Sequence, residues 1–172
     1  EGVPVVPCRT NKEVPKEKMF DVMREIKYTI KEAELKEVPS IFDQFITPNF
    51  PEDEIKPLEV MEMLVAGGYY KILYLEVEGK KSGIACLNLY PEGRSYLLDY
   101  LAIDASCRAK GYGSIFLKAC KSFLAGKPML IETEAIFASE NNEEKQQRIR
   151  RNQFYERNGA TMTNAVIRMF GV

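Results

Sequence analysis

The chain has 172 residues, of which 24 are basic, 25 are acidic and none is histidine. This length is most economically one domain, residues 1–172, and the near-neutral charge gives no indication of binding to nucleic acid or to an anionic membrane. Charges interrupt every apolar stretch before the roughly 20 residues that a membrane span needs, and no signal-peptide pattern is present. We therefore expect a cytoplasmic protein without a membrane segment.

The four cysteines form no C-x-x-C pair, and without histidine a structural metal site is not expected. Cys86 and Cys120 stand in apolar patterns and are predicted core residues. Cys107 adjoins a glycine-rich turn, where a packing role is favoured over a reactive thiol, and Cys8 is interpreted as another reduced thiol. The absence of histidine also restricts any general base to a carboxylate, a tyrosine, a lysine or water.

The N-terminal third predicts a short edge strand at residues 3–8 and then a helix. The helix begins near Pro15, continues irregularly through Leu35 and stops at Pro39. Its apolar face would be formed by Met19, Phe20, Met23, Ile26 and Ile30. Residues 40–57 predict a loop or short helical turns, whose phenylalanines either line a substrate pocket or fill the core.

From residue 58 onward the pattern is more regular. Residues 58–66 predict a helix that ends at Gly67 and Gly68. Three strands at residues 69–77, 83–90 and 96–103 predict an antiparallel meander. A helix after residue 113 should return the chain to a strand at residues 129–135, parallel to the third strand. A helix ending near Asn158 and a last strand at residues 161–170 complete the prediction.

The turn between the third strand and its helix contains two glycines, Gly111 and Gly113, in the segment Arg108-Ala109-Lys110-Gly111-Tyr112-Gly113-Ser114. Unpaired N–H groups at the start of a helix, together with the helix dipole, favour a bound anion such as phosphate. The glycines could equally allow the strand and the helix to pack closely. The turn has neither a Gly-Lys-Ser/Thr ending nor a complete G-x-G-x-x-G, so the common nucleotide loops do not fit.

The motif Arg108-x-x-Gly111-x-Gly113, between an apolar strand and an amphipathic helix, resembles the acetyl-CoA-binding motif of the GNAT acetyltransferases. A second segment agrees, because Phe154-Tyr155-Glu156-Arg157-Asn158-Gly159-Ala160 is similar to the family's F-Y-E-x-x-G-F helix end, with Ala160 in place of an aromatic residue. The resemblance covers about residues 69–172.

The resemblance implies an α/β (α+β) fold with a mixed, mostly antiparallel central sheet, a splayed parallel strand pair and flanking helices. Acetyl-CoA would be the co-substrate, with no metal. Residues 1–66 would form the acceptor side and residues 67–172 the acetyl-CoA-binding core. The backbone of Leu101, Ala102 and Ile103 would bind the pantetheine, and the backbone N–H groups of the seven-residue turn would bind the pyrophosphate. The family closes with one more strand than this sequence contains, so further residues or another chain would supply it.

The resemblance also implies the reacting groups. Tyr155 matches the tyrosine that protonates the CoA sulfur, and its alternative role is packing in the core. Glu132 takes the place of the proposed base of ribosomal-protein N-terminal acetyltransferases, and Asp99 that of a histidine in serotonin acetyltransferase. Both, like Glu134, could instead form ion pairs with arginines of the following helix. An asparagine that often contacts pantetheine is Arg148 here, so that contact is not expected.

A pocket lined by carboxylates favours a cationic amine, which indicates a small-molecule or peptide amine as acceptor. The leading hypothesis is therefore an acetyl-CoA-dependent N-acetyltransferase, active as a monomer or homodimer. Two alternatives stay open, a non-catalytic acyl-CoA-binding sensor or scaffold and a phosphate-loop fold for another nucleotide.

Overall fold

The computed structural model describes residues 28–90, 93–163 and 165. Five strands form one sheet in the order β1-β2-β3-β4-β5. The strands are β1 (Tyr28–Glu32), β2 (Tyr70–Val77), β3 (Lys80–Leu89), β4 (Tyr96–Ile103) and β5 (Met129–Ile131). The pairs β1-β2, β2-β3 and β3-β4 are antiparallel and β4-β5 is parallel. The meander of β2, β3 and β4 and the parallel pairing of β5 were predicted, whereas β1 was not.

The helices are α1 (Val38–Ile41), α2 (Leu58–Ala66), α3 (Tyr112–Phe123) and α4 (Asn142–Arg157). The segment α1 continues as a π-helical turn at Phe42–Ile46, and a 3-10 turn follows at Glu52–Glu54. The predicted helices at residues 58–66, after residue 113 and up to Asn158 are confirmed. None of the helices in the described ranges is long and apolar enough to cross a membrane.

The predicted long N-terminal helix is wrong where it can be compared with the structure. Tyr28–Glu32 is a strand that pairs antiparallel with β2, from Tyr28 opposite Val77 to Glu32 opposite Leu73. Alternating polar residues also contact β2, since Lys31 forms an ion pair with Glu76 at 3.0 Å. Pro39 does not stop a helix but lies in the first turn of α1, where a missing N–H costs nothing.

Other predictions for the chain ends fall on residues that are not described. These are the strand at residues 3–8, Cys8 and the part of the helix before residue 28. Of the predicted strand at residues 161–170, only 161–163 and 165 are described, and these are not in a strand.

The sheet lies between two apolar layers. On one face α1, the π-helical turn and α2 contribute Val38, Phe45 and Met61 to a core that includes Ile72 and Ile84. This supports the core role for the phenylalanines of residues 40–57, since Phe45 is 4 % exposed. On the other face α3 packs against the sheet with a helically spaced stripe of side chains, namely Tyr112, Phe116, Leu117 and Cys120.

A bulge in β4 changes which face its side chains occupy. Cys86 of β3 is opposite Tyr100 and the next residue, Leu87, is opposite Leu98, so Asp99 has no partner on β3. As a result Leu98 belongs to the core beneath α3 whereas Tyr100 belongs to the opposite core. One extra residue in a strand reverses its alternation and bends it.

The parallel pairing of β4 and β5 ends where this bulge begins. The register runs from Tyr96 opposite Met129 to Leu98 opposite Ile131, and β4 then continues to Ile103 without β5. The strand predicted at residues 129–135 is therefore shorter than expected, because residues 132–135 leave the sheet. The predicted splaying of the two strands is confirmed.

Candidate active site

A cleft of about 600 Å³ opens beside the free end of β4. It is lined by β4 through Leu101 and Ile103, by the glycine-rich turn and by α4 through Arg150, Arg151, Phe154 and Tyr155. Three segments that are distant in sequence thus meet at the point where β4 and β5 diverge. A volume of this size is within the range of small-molecule sites.

The glycine-rich turn exposes a row of backbone donors to the cleft. Ala109 has φ +59° and Gly111, the N-cap of α3, has φ +83°. Within the described ranges the N–H groups of Ala109 through Gly113 donate no hydrogen bond, and the first bonded N–H of the helix is that of Ser114 to Gly111 O, at 3.1 Å. Successive free N–H groups at a helix N-terminus form a concave anion site.

The two glycines of the turn, Gly111 and Gly113, differ in backbone conformation and in surroundings. Gly111 has the left-handed conformation that side chains adopt only at a cost. Gly113 lies against α4, since a Cβ there would be 3.4 Å from the ring of Phe154. Gly111 therefore shapes the backbone of the turn, whereas a Cβ at Gly113 would make ordinary van der Waals contact with Phe154 and with Ile103 of β4, so close packing does not require glycine there.

The basic side chains of the turn hold its shape. Arg108 donates from Nε to the Ile103 carbonyl oxygen at 3.0 Å and from Nη2 to Asn49 Oδ1 at 2.6 Å. Lys110 Nζ donates to the Ser106 carbonyl oxygen at 2.8 Å. These contacts leave the backbone, rather than these side chains, as the anion-binding element of the turn.

The free edge of β4 presents alternate residues to the cleft. The Asp104 N–H donates to Ser82 O of the β3 strand at 2.9 Å, so Ala102, two residues earlier, also directs its backbone groups toward β3. The backbone groups of Leu101 and Ile103 then point to the open side, and these two residues, without Ala102, line the cleft. Of the three residues predicted to bind pantetheine, Leu101 and Ile103 have the suitable orientation.

Tyr155 lies on the cleft wall one residue after Phe154, and the two rings form an edge-on contact with centroids 5.2 Å apart. Its hydroxyl makes no hydrogen bond within the described ranges. Burial raises the pKa of the phenol, an effect that Arg151 opposes and Glu134 reinforces. The phenol therefore keeps its proton at neutral pH.

The predicted base Asp99 is part of a polar network on the side of the sheet away from α3. Lys56 Nζ lies 2.7 Å and 2.9 Å from the two carboxylate oxygens, and the Tyr70 hydroxyl donates to Oδ2. Tyr100 extends the network, because its hydroxyl accepts from the Lys56 N–H at 3.0 Å and donates to Glu54 O at 2.8 Å. The network joins the bulge of β4 to residues 54–56.

The two glutamates after β5 have different surroundings. Glu134 forms an ion pair with Arg151, as the structural alternative predicted. Burial raises the pKa of Glu134, but hydrogen bonds from its own backbone and from Arg151 outweigh this effect and hold the pKa below its ordinary value. Glu132 is exposed and has no ion-pair partner among the described residues. It follows Ile131, the last paired residue of β5, and so stands where the strands part.

Residues 38–159 match the sequence model of the Acetyltransferase (GNAT) family. The chain belongs to the GNAT acetyltransferase family. It is therefore an acyltransferase of the GNAT type, and the alternatives of a sensor and of another nucleotide-binding fold are not supported. A search of curated proteins found no significant match.

Solved structures of GNAT proteins share this fold. A GNAT-family acetyltransferase from Bacteroides thetaiotaomicron is 20% identical, with a TM-score of 0.63 over 76% of this chain and 70% of that one. An acetyltransferase from Clostridium acetobutylicum with acetyl-CoA is 12% identical, with a TM-score of 0.58 over 83% and 96%. An aminoglycoside acetyltransferase from an uncultured soil metagenomic sample, in complex with sisomicin, is 15% identical, with a TM-score of 0.58 over 84% and 95%.

This GNAT chain departs from the family motif at Arg148. Its Nη1 donates to the Ala135 carbonyl oxygen at 2.5 Å and its Nη2 contacts Glu144. The side chain therefore fastens the segment after β5 to α4, and it is not among the residues that line the cleft.

Four residues that line the cleft were not predicted to be part of the site, namely Cys107, Arg150, Arg151 and Phe154. A signal was available for two of them, since Arg151 precedes Tyr155 by one helical turn and Arg150 precedes Phe154 by one turn. The packing of Phe154 on Gly113, which orients this face of α4, could be found only from the structure.

Proposed function

We propose that this GNAT protein transfers the acetyl group of acetyl-CoA to a primary amine of a small-molecule or peptide acceptor, by direct attack in a ternary complex. The observation that carries the proposal is the cleft at the divergence of β4 and β5. Free backbone donors line it on one side and Tyr155 on the other.

The residues of the cleft fit acetyl-CoA. The N–H groups of Ala109 through Gly113 would bind the pyrophosphate, and the free backbone groups of Leu101 and Ile103 would hold the pantetheine amides. The Ile103 carbonyl already accepts from Arg108, which leaves Leu101 as the main acceptor on this edge. The bound thioester supplies the activated acetyl group, and this chain orients it toward the acceptor.

Tyr155 would hold the proton that the departing CoA thiolate needs. A phenol with a pKa at or above about 10 can protonate a thiolate whose conjugate acid has a pKa of about 8.5. Burial of the ring raises the pKa of Tyr155, so that the proton stays available throughout the neutral range. Its hydroxyl has no competing partner among the described residues.

We assign the base, which accepts the proton of the amine directly or through water, to Glu132. The hydrogen bonding and exposure of the two carboxylates support Glu132 over Asp99. Both oxygens of Asp99 already accept hydrogen bonds, whereas Glu132 is exposed and beside the point of divergence. Asp99 would then shape the site through the bulge rather than accept a proton.

The acceptor would approach from the side formed by residues 28–66. The exposed Glu52–Glu54 turn is adjacent to Lys56, which binds the β4 bulge, so it places carboxylates near that approach. The lining of the cleft contains three arginines and none of the predicted carboxylates Asp99, Glu132 and Glu134, so the preference for a cationic amine rests on this exposed acidic turn. The aminoglycoside acetyltransferase of similar fold, whose structure contains sisomicin, supports an acceptor of this class.

The test is release of CoA thiol from acetyl-CoA in the presence of amines, polyamines, aminoglycosides and peptides. We expect turnover with at least one amine, and initial rates that form intersecting double-reciprocal lines, as a ternary complex requires. Parallel lines would indicate an acetylated enzyme and contradict direct attack. Binding of acetyl-CoA without turnover for any acceptor class would contradict the proposed reaction.

A further inference from the structure

Three arginines line the cleft, and they differ in what they contact. Arg108 donates to Ile103 O and to Asn49. Arg151 forms an ion pair with Glu134. Among the residues that the structure describes, Arg150 has no hydrogen-bond or carboxylate partner. Arg150 is therefore the cleft arginine whose guanidinium is available to bind a ligand.

The position of Arg150 relative to the glycine-rich turn follows from helix geometry. Phe154 touches Gly113, with ring atoms 3.4 Å from the position of a Cβ there. Arg150 lies on the same face of α4 as Phe154, one turn earlier, where side chains are about 5–6 Å apart. Arg150 therefore lines, from the α4 wall, the same cleft as the turn whose N–H groups at residues 109–113 donate no hydrogen bond.

We propose that Arg150 is a specificity-determining residue for the donor and binds a phosphate group of the CoA moiety. The inference rests on the proposed function, which places acetyl-CoA in this cleft. A guanidinium presents several donors to phosphate oxygens and complements backbone N–H groups, which bear only partial charge. The phosphate could be the pyrophosphate on the turn or the 3′-phosphate of the ribose.

Arg150 can be tested without loss of the fold, because its side chain is exposed and has no partner whose contacts would be broken. We choose Arg150→Gln, which removes the charge and keeps most of the length. The matched control is Arg157→Gln, which removes a cation from the last turn of the same helix, outside the cleft. Arg150→Lys restores the charge without the guanidinium.

The experiment is isothermal titration calorimetry of acetyl-CoA with each variant and no acceptor. We expect Arg150→Gln to weaken binding by roughly 10-fold, Arg150→Lys to recover part of that loss and Arg157→Gln to stay within about 2-fold. Repeating the titrations with 3′-dephospho-acetyl-CoA distinguishes the two phosphates. The difference between wild type and Arg150→Gln disappears if Arg150 binds the 3′-phosphate and persists if it binds the pyrophosphate.

If wild type binds acetyl-CoA and Arg150→Gln binds it equally well, Arg150 is only a solvated surface residue and this inference is overturned. An equal loss in Arg150→Gln and Arg157→Gln also overturns it, since the effect would then be one of net charge. If wild type does not bind acetyl-CoA at all, the proposed function fails together with the inference. The outcomes thus separate the two failures.

Discussion

Replacing Tyr155 with phenylalanine removes one oxygen atom and leaves the ring in place against Phe154. No hydrogen bond to a described residue is lost, so we expect the free energy of unfolding to change by less than about 1 kcal/mol. If the phenol protonates the leaving thiolate, kcat should fall by about 10- to 1000-fold, or about 1.4–4 kcal/mol of transition-state stabilisation. A thioester is already a good acyl donor, which keeps the loss below complete inactivation. The KM for acetyl-CoA should change little, because the donor is bound by other groups.

The assay is steady-state CoA release across pH 7 to 10, compared as the ratio of wild-type to variant kcat. Since burial raises the pKa of Tyr155 above its ordinary value of 10, the phenol stays protonated at least up to about pH 9 and the ratio should stay constant to that point. A ratio near one at neutral pH would show that the tyrosine is only structural. A ratio that falls between pH 7 and 9 would show that the group removed in the variant has a pKa below 9. That result would contradict the role of the buried Tyr155 phenol, whose pKa is raised. Thermal unfolding of both proteins is the control for the fold.

Three further outcomes are expected. Gly111→Glu should weaken acetyl-CoA binding by at least about 10-fold through bulk and negative charge beside the free N–H groups, measured by calorimetry. The control is Gly126→Glu, because Gly126 has a similar left-handed φ of +86° and no atom lies within 4 Å of an added Cβ. This variant should bind acetyl-CoA normally, and equal losses of affinity in both variants would refute the anion site. Glu132→Gln should lower the rate mainly at low pH without loss of stability. Asp99→Asn should instead lower the unfolding free energy by about 1–2 kcal/mol, because the Lys56 ammonium loses its counter-charge. Wild-type pH profiles in both amide variants would mean that neither carboxylate is the base. Finally, burial raises the pKa of Tyr70, so its contribution to stability is complete below pH 10, the unfolded value, and is lost as pH rises further. The thermal midpoint should therefore fall above pH 10, and Tyr70→Phe should make that fall shallower; an unchanged slope would assign it to other groups.

Elements whose side-chain pattern is local could be predicted from the amino-acid sequence. The strand β4 was predicted with its observed limits because its residues are almost continuously apolar, and α2 because two glycines follow a helically spaced face. The turn before α3 was found for the same reason, since a helix start with free N–H groups is a local feature of the chain. Tyr155 was found through its motif.

Features that depend on partners far along the chain could be found only from the folded structure. Residues 28–32 have spacing that suits a helix, yet they form β1 because β2, more than 40 residues later, offers an edge. Asp99 interrupts an apolar strand in the sequence, but only the pairing with β3 shows that it is the bulge at which β4 parts from β5. The bulge also sets which residues face the cleft, Leu101 and Ile103 rather than Ala102.

The same limit applies to charge. The sequence shows a run of arginines in α4 and several acidic residues near them, without indicating which are paired. Ion pairs depend on side chains that meet across elements, as Arg151 meets Glu134 and Lys56 meets Asp99. Arg150 differs from Arg151 in having no such partner among the described residues. This difference could not be predicted from the sequence, because it depends on how α4 packs against the glycine-rich turn through Phe154 and Gly113.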